Sequence, residues 1–345
     1  MVFTLTPDGP LHAGKTLTRY HLWGEDPATP MNAHSLCRVL RAGGRLYGYE
    51  VTWRGGPDDT RLRVSIPGAR DAQIVKAVRR EVEQIFGLAA DLPGFYRIAK
   101  ADPALRDLVP PLYGLRPSLA PSPLEMLVGA VCAQQVNLTF ALATRARLVR
   151  RYGMPVTVAG RTVYAFPAAV DLARARAADL RRLQFSARKA EYIIGIARAV
   201  VNRGIDFEAL AACGNEEAVA YLTAFRGLGR WSAEWYLARC LGRGDVCPAG
   251  DLAVRRAFAH YYNRGLELSE AAIRRRARRW GEHQNLAVHY LLSGMRLTRP
   301  DAGFAGAVRS SGRLRGAGPQ PREPLGSPSW GGGSEGVRRP PPRIQ

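Results

Sequence analysis

Residues 215–257 read NEEAVAYLTAFRGLGRWSAEWYLARCLGRGDVCPAGDLAVRRA, and their punctuation decides the architecture. A helical pattern runs from about 216 to Phe225, Gly227 and Gly229 follow one residue apart, and a second helical pattern starts near Arg230. Glycine adopts positive φ without steric cost, so this spacing permits a tight reversal between two helices. The first N–H groups of the second helix then point outward with the positive end of the helix dipole behind them. Gly227, Leu228, Gly229 and Arg230 are therefore the expected phosphate-binding residues, with an ordinary helix-helix turn as the plainer alternative.

Asp251 follows Gly227 by 24 residues, at the end of the Pro248-Ala249-Gly250 loop and just before a helical pattern over 252–262. Asp is a good N-cap, so capping is one role for it. A fixed carboxylate near a phosphate-gripping hairpin is the other. Trp231 and Trp235 stand four apart, on one face of the intervening helix. They are either core or the walls of a pocket.

Working outward, the chain of 345 residues suggests two domains. Residues 36–66 alternate in short runs, SLCRVLRA, RLYGYEVTW and RLRVSI, broken by Gly43-Gly44 and by GGPDD at 55–59, which is the pattern of an antiparallel sheet. Ile74, Val75, Val78, Val82 and Ile85 then recur at helical spacing, predicting a helix on that sheet. Residues 101–123 carry six prolines, too many for a regular element, and read as a crossover. Ser122-Pro123-Leu124-Glu125 has the form of a capping box opening a helix, one face of which is marked by Leu124, Leu127, Val128, Val131 and Gln135. Helical patterns continue to about 296 with few strand signals. The expected fold class is thus α+β: a small antiparallel sheet with a helix over 1–110, an all-α domain over 111–300, and a disordered tail over 301–345. The tail holds 10 Gly and 7 Pro in its 45 residues.

Lys+Arg total 50 against Asp+Glu 29, a formal charge of +21, of which the tail contributes +4. The remainder makes a polyanion the first partner to consider. Only four lysines occur (Lys15, Lys76, Lys100 and Lys189), and the guanidinium that replaces them suits phosphate well. Five scattered cysteines, Cys37, Cys132, Cys213, Cys240 and Cys247, give neither a disulfide framework nor enough ligands for zinc or an iron–sulfur cluster. No cofactor or metal is expected. The start lacks a signal peptide pattern and no run of about 18 apolar residues occurs, so a cytoplasmic location and no membrane partner are expected.

The hairpin, the Gly/Pro loop and Asp251 together resemble the helix-hairpin-helix (HhH-GPD) DNA glycosylases, and most closely the 3-methyladenine DNA glycosylase II family. The resemblance extends to Leu124–Gly153, which is similar to that family's first core helix with its glutamine-containing segment, and to the sheet at 36–66. It implies a monomeric base-excision repair enzyme whose partner is double-stranded DNA containing damaged bases. Asp251 would be the catalytic carboxylate; Trp231, Trp235, Gln135 and His283 would line the base pocket. In relatives that also cut the backbone, a lysine stands two residues after the second hairpin glycine to form a Schiff base. Here that place is Trp231, which implies a monofunctional hydrolase. Arg226 stands where the family's hairpin usually has proline, and His283 roughly where it places an aromatic pocket residue. The alternative is a non-catalytic helix-hairpin-helix DNA-binding protein, in which Asp251 is only a cap.

Overall fold

A computed structural model describes residues 1–298 of the chain. β1 (Val2–Leu5) and a one-turn helix α1 (Ala13–Thr16) precede β2 (Ser35–Ala42), β3 (Arg45–Arg54) and β4 (Arg61–Ser65). The four strands form one antiparallel sheet in the order β1-β4-β3-β2, so β1, unmarked in the sequence reading, closes the edge beside β4. Period-2 alternation sends Tyr49, Val51 and Trp53 of β3 and Leu62 and Val64 of β4 inward. Helix α2 (Ala72–Ile85) covers them with Ile74, Val78, Val82 and Ile85, as the helical spacing predicts. Each such buried side chain contributes about 1.5–3 kcal/mol of apolar transfer. Asp71 starts the helix by accepting a hydrogen bond from the Gln73 N–H.

The remaining elements are α3 (Leu92–Ala99), α4 (Pro103–Leu108), α5 (Pro123–Ala133), α6 (Leu138–Tyr152), β5 (Met154–Val158), β6 (Arg161–Ala165), α7 (Ala169–Ala173), α8 (Ala177–Arg182), α9 (Ala187–Val201), α10 (Phe207–Ala212), α11 (Asn215–Thr223), α12 (Arg230–Arg239), α13 (Leu252–Tyr262), α14 (Glu270–Ala277) and α15 (Gln284–Thr298). Two cores organise them. One gathers α5, α6 and α9–α12, with Leu127, Val131, Ile193, Leu222 and Leu237 at its centre. The other joins α3 and α4 to α13–α15: Leu92, Phe95, Leu105 and Leu108 pack with Val254, Phe258, Trp280 and Leu291.

That second core corrects the grouping of residues 1–110 with the sheet. α2 already fills the sheet's apolar face, so the apolar sides of α3 and α4 find their partners at the far end of the chain. The proline-rich crossover also holds a helix, because Pro103 sits in the first turn of α4, where a missing N–H is not needed.

The antiparallel pair β5–β6 departs from an all-α second domain. Its Val158, Val163 and Ala165 pack on Cys37 and Val39 of β2. Gly48 makes the approach possible, since a β-carbon there would collide with the Val158 side chain. With α2 behind it and this hairpin in front, β2 is buried on both faces, and its inner residues include a charge, Arg38.

Arg38 belongs to a buried ionic network between the sheet and the helices. Its Nε donates to Glu81 Oε1 at 2.7 Å and its Nη2 to Glu125 Oε2 at 3.0 Å. Arg145 donates to Glu125 Oε1 at 2.6 Å and also pairs with Asp26. The predicted capping box is consequently half formed. Ser122 Oγ accepts from the Glu125 N–H at 3.2 Å, whereas the Glu125 carboxylate turns to the two arginines. A further buried cation, Arg116, donates to the carbonyls of Asp8, Pro10, Leu88 and Ala90 at 2.7–3.1 Å. No helix among the described residues is long and apolar enough to cross a membrane. The 301–345 segment, expected to be disordered, lies outside the described residues.

Candidate active site

The two glycines do join two helices. Helix α11 ends at Thr223, Gly227 takes φ +95°, and Gly229 is the N-cap of α12. No side chain caps α12, so its first N–H groups remain open to an external acceptor. Leu228 is buried and its N–H closes the turn onto the Phe225 carbonyl at 3.1 Å. Arg230 uses its guanidinium internally, on Glu216 at 2.6 Å and Glu234 at 3.3 Å. The open backbone N–H of Arg230 is thus the group it offers an anion without breaking an ion pair. Arg226, in the place of the family's proline, pairs with Glu191 at 3.3 Å and lies over the Tyr192 ring.

Gly227 is required twice over. Its φ is one that side chains rarely adopt, and a β-carbon would stand 2.6 Å from both Cβ and Cδ2 of Tyr192. Gly227→Ala should therefore destabilise the fold by about 1–3 kcal/mol and weaken duplex binding at low salt. Denaturant unfolding and fluorescence anisotropy check the two parts; unchanged affinity would remove the hairpin from the binding surface.

Asp251 caps α13 with one carboxylate oxygen and turns the other to α12. As the N-cap of α13, its Oδ1 accepts from the N–H groups of Ala253 at 2.8 Å and Val254 at 3.1 Å. Its Oδ2 accepts from Trp231 Nε1 at 2.7 Å and Trp235 Nε1 at 3.1 Å. Both tryptophans are half-buried, and Trp235 borders both helical cores. The i, i+4 spacing on α12 thus aims two indole N–H groups at one carboxylate oxygen. Four donors fix the direction of a single negative group directly behind the hairpin helix.

The other two predicted pocket residues make no hydrogen bond to Asp251. Helix α5 stops at Ala133, and Gln135 takes φ +54°, which turns its side chain out to the surface. The neighbouring Gln134 points inward instead: its Nε2 donates to the Gly227 carbonyl at 2.7 Å and so ties α5 to the hairpin. His283 Nε2 bonds Asp91 Oδ2 at 3.2 Å, and its ring stands beside Phe95, which ties it to the start of α3. The Gly94 N–H and the His283 contact hold the Asp91 carboxyl below the usual carboxylate range.

Residues that the sequence reading missed support α12 from behind. Buried Glu234, between the tryptophans, binds Arg274 at 2.7 Å as well as Arg230. Arg239 lies 5.3 Å from the Trp235 ring centre and donates to Asn285 Oδ1 and His289 Nδ1, each at 3.0 Å. Its place one helical turn beyond Trp235 was the available signal. Among the described residues no cluster of His, Cys, Asp or Glu could hold a metal ion.

Comparison with known proteins gives four concordant likenesses. The model of the HhH-GPD superfamily base excision DNA repair protein matches residues 128–283. A DNA-3-methyladenine glycosylase of Bacillus subtilis is 31% identical over 226 residues, 64% of this chain and 75% of that protein. The solved structure of a 3-methyladenine DNA-glycosylase from Archaeoglobus fulgidus superimposes with a TM-score of 0.75 at 28% identity, over 89% of this chain and all of the other. A Schizosaccharomyces pombe 3-methyladenine DNA glycosylase, solved in complex with abasic DNA, matches at a TM-score of 0.51 and 25% identity, over 62% of this chain and 99% of the other.

Proposed function

Because this chain belongs to the HhH-GPD superfamily of base excision DNA repair proteins, we propose that its chemistry runs through the Asp251 carboxylate. The protein is a base-excision DNA glycosylase for alkylated bases of the 3-methyladenine type. The observation that carries the assignment of Asp251 is the pair of indole N–H groups converging on its Oδ2. A residue that only capped α13 would need nothing beyond the bonds on Oδ1. This favours catalysis over the non-catalytic DNA-binding alternative.

In this reading the open N–H groups at Gly229 and Arg230 hold a phosphate of duplex DNA, and the damaged nucleotide is rotated out of the stack toward Asp251. Extrusion costs a few kcal/mol, least for a lesion that stacks or pairs poorly. As the N-glycosidic bond breaks, its electron pair leaves with the base and positive charge builds on the sugar. The carboxylate stabilises that cation and orients the water that adds to C1′, whose proton is lost, leaving an abasic site. Trp231 and Trp235 point their N–H edges at the carboxylate; since Arg239 lies over the Trp235 ring, the face offered to the base is that of Trp231. A base alkylated on a ring nitrogen carries positive charge, which an indole face attracts by about 0.5–2 kcal/mol.

Trp231 offers no amine for a Schiff base, and of the four lysines Lys15 and Lys189 are bonded to the carbonyls of Pro111 and Cys132. We therefore assign hydrolysis without strand cleavage, carried out by a monomer in the cytoplasm. Incubation with methylated duplex DNA should release free base, nick no strand, and leave no protein–DNA adduct after borohydride reduction. A trapped adduct would overturn the monofunctional assignment, and failure to release any alkylated base would overturn the activity itself.

A further inference from the structure

The turn between α7 and α8 meets α9 around a cavity of about 310 Å³ that the chemistry above does not use. It is lined by three arginines, Arg174, Arg176 and Arg198, and by one acid, Glu191. Arg174, the exposed C-cap of α7, has no side-chain partner among the described residues. Arg198 donates its Nε to the Ala173 carbonyl at 3.1 Å, which anchors the guanidinium at the end of α7 and leaves both terminal nitrogens without an acceptor. Arg176 pairs with Asp179 at 3.3 Å. Glu191 is taken by Arg226 at 3.3 Å, so no carboxylate among the described residues answers Arg174 or Arg198.

The wall that α9 gives this cavity contains a glycine. Glu191, Gly195 and Arg198 fall at positions i, i+4 and i+7, on one exposed face of the helix. Glycine is the poorest residue but proline for a helix interior. The fold does not require it here, since its φ is not positive and a β-carbon would meet no atom within 4 Å. What the missing side chain does is leave room between the arginines, where a ligand can approach the backbone closely. The cavity also adjoins the hairpin. Its Glu191 pairs with Arg226, the residue before Gly227, and the next residue of α9, Tyr192, is the one that packs on Gly227.

We propose that Arg174 and Arg198 hold a backbone phosphate of duplex DNA in this cavity, over Gly195, flanking the phosphate held at the α12 N-terminus. A guanidinium fork matches phosphate oxygens in pairs, which suits two arginines whose N–H groups lack an acceptor within the protein. The site extends the DNA footprint from the hairpin along α9. It rests on the reading that the hairpin grips duplex DNA and is independent of the role given to Asp251.

The test uses the full chain and an undamaged, fluorescently labelled duplex, with affinity followed by anisotropy against potassium chloride concentration. Each neutralised phosphate contributes about 0.9 to the log–log slope. Arg174→Gln with Arg198→Gln should therefore make the slope shallower by about one. Lys76→Gln with Arg80→Gln, which removes the same charge from the exposed side of α2, should leave it unchanged. Gly195→Leu should fill the cavity and weaken binding while the melting temperature holds or rises, because leucine is the better helix former. A structural role for Gly195 would move the two together. An unchanged slope in the arginine variant, an equal change in the α2 variant, or full affinity in Gly195→Leu would overturn the site. Failure of the hairpin reading shows separately, as unchanged affinity in Gly227→Ala.

Discussion

Asp251→Asn should lower the rate of base release by about 10²–10³-fold, the usual effect of removing one preorganised group that stabilises developing charge. The substitution keeps the fold in place. Asparagine caps helices as well as aspartate does, so the bonds to the Ala253 and Val254 N–H groups survive. What changes is the other side of the group. An amide N–H₂ would face the two indole N–H groups that now donate to Oδ2, and donors cannot pair with donors. That mismatch adds about 1–3 kcal/mol of destabilisation, measurable by denaturant titration and small beside the catalytic loss. Single-turnover release of methylated base decides the matter: a fall of less than tenfold would mean that Asp251 is a cap and that another group does the chemistry.

Glu125→Ala should destabilise the protein by about 3–5 kcal/mol, because it leaves two buried guanidiniums, Arg38 and Arg145, short of a partner. The melting temperature should fall by on the order of 10 °C. Replacing Arg38, Glu81 and Glu125 together by Met, which leaves Arg145 paired with Asp26, should recover part of the loss. A single variant that melts within 2 °C of wild type would show that Arg38 and Arg145 are satisfied without Glu125. Since Glu125 opens α5, and Gln134 just past the end of α5 holds the Gly227 carbonyl, the same variant also tests whether the sheet steadies the hairpin.

These two cases show where the sequence could be read and where it could not. Asp251, the hairpin and the pair of tryptophans were legible because each depends on local rules: a capping residue, glycine spacing, and the helical repeat. Helix α2 was legible for the same reason. Glu125 looked like half of a local box, yet its real partner Arg38 lies 87 residues away in the chain. Position three of a helix says nothing about a distant cation. Gln134 and Gln135 were indistinguishable in sequence; the end of α5 falls between Ala133 and Gln134, and one left-handed residue sends the two side chains in opposite directions. The β5–β6 hairpin escaped notice because its strands are only five residues long and their apolar side chains matter only against β2.

The sharing of one core between α3–α4 and α13–α15 constrains how the protein can be made. Residues 92–108 leave the ribosome about 150 to 200 residues ahead of Val254, Phe258 and Leu291, the side chains that will shelter them. Throughout that interval the nascent chain must carry Leu92, Phe95, Leu105 and Leu108 uncovered, a sticky surface of the kind that invites chaperones and self-association. A message truncated between about codons 110 and 250 would yield a polypeptide able to complete its sheet but left with this unsatisfied seam.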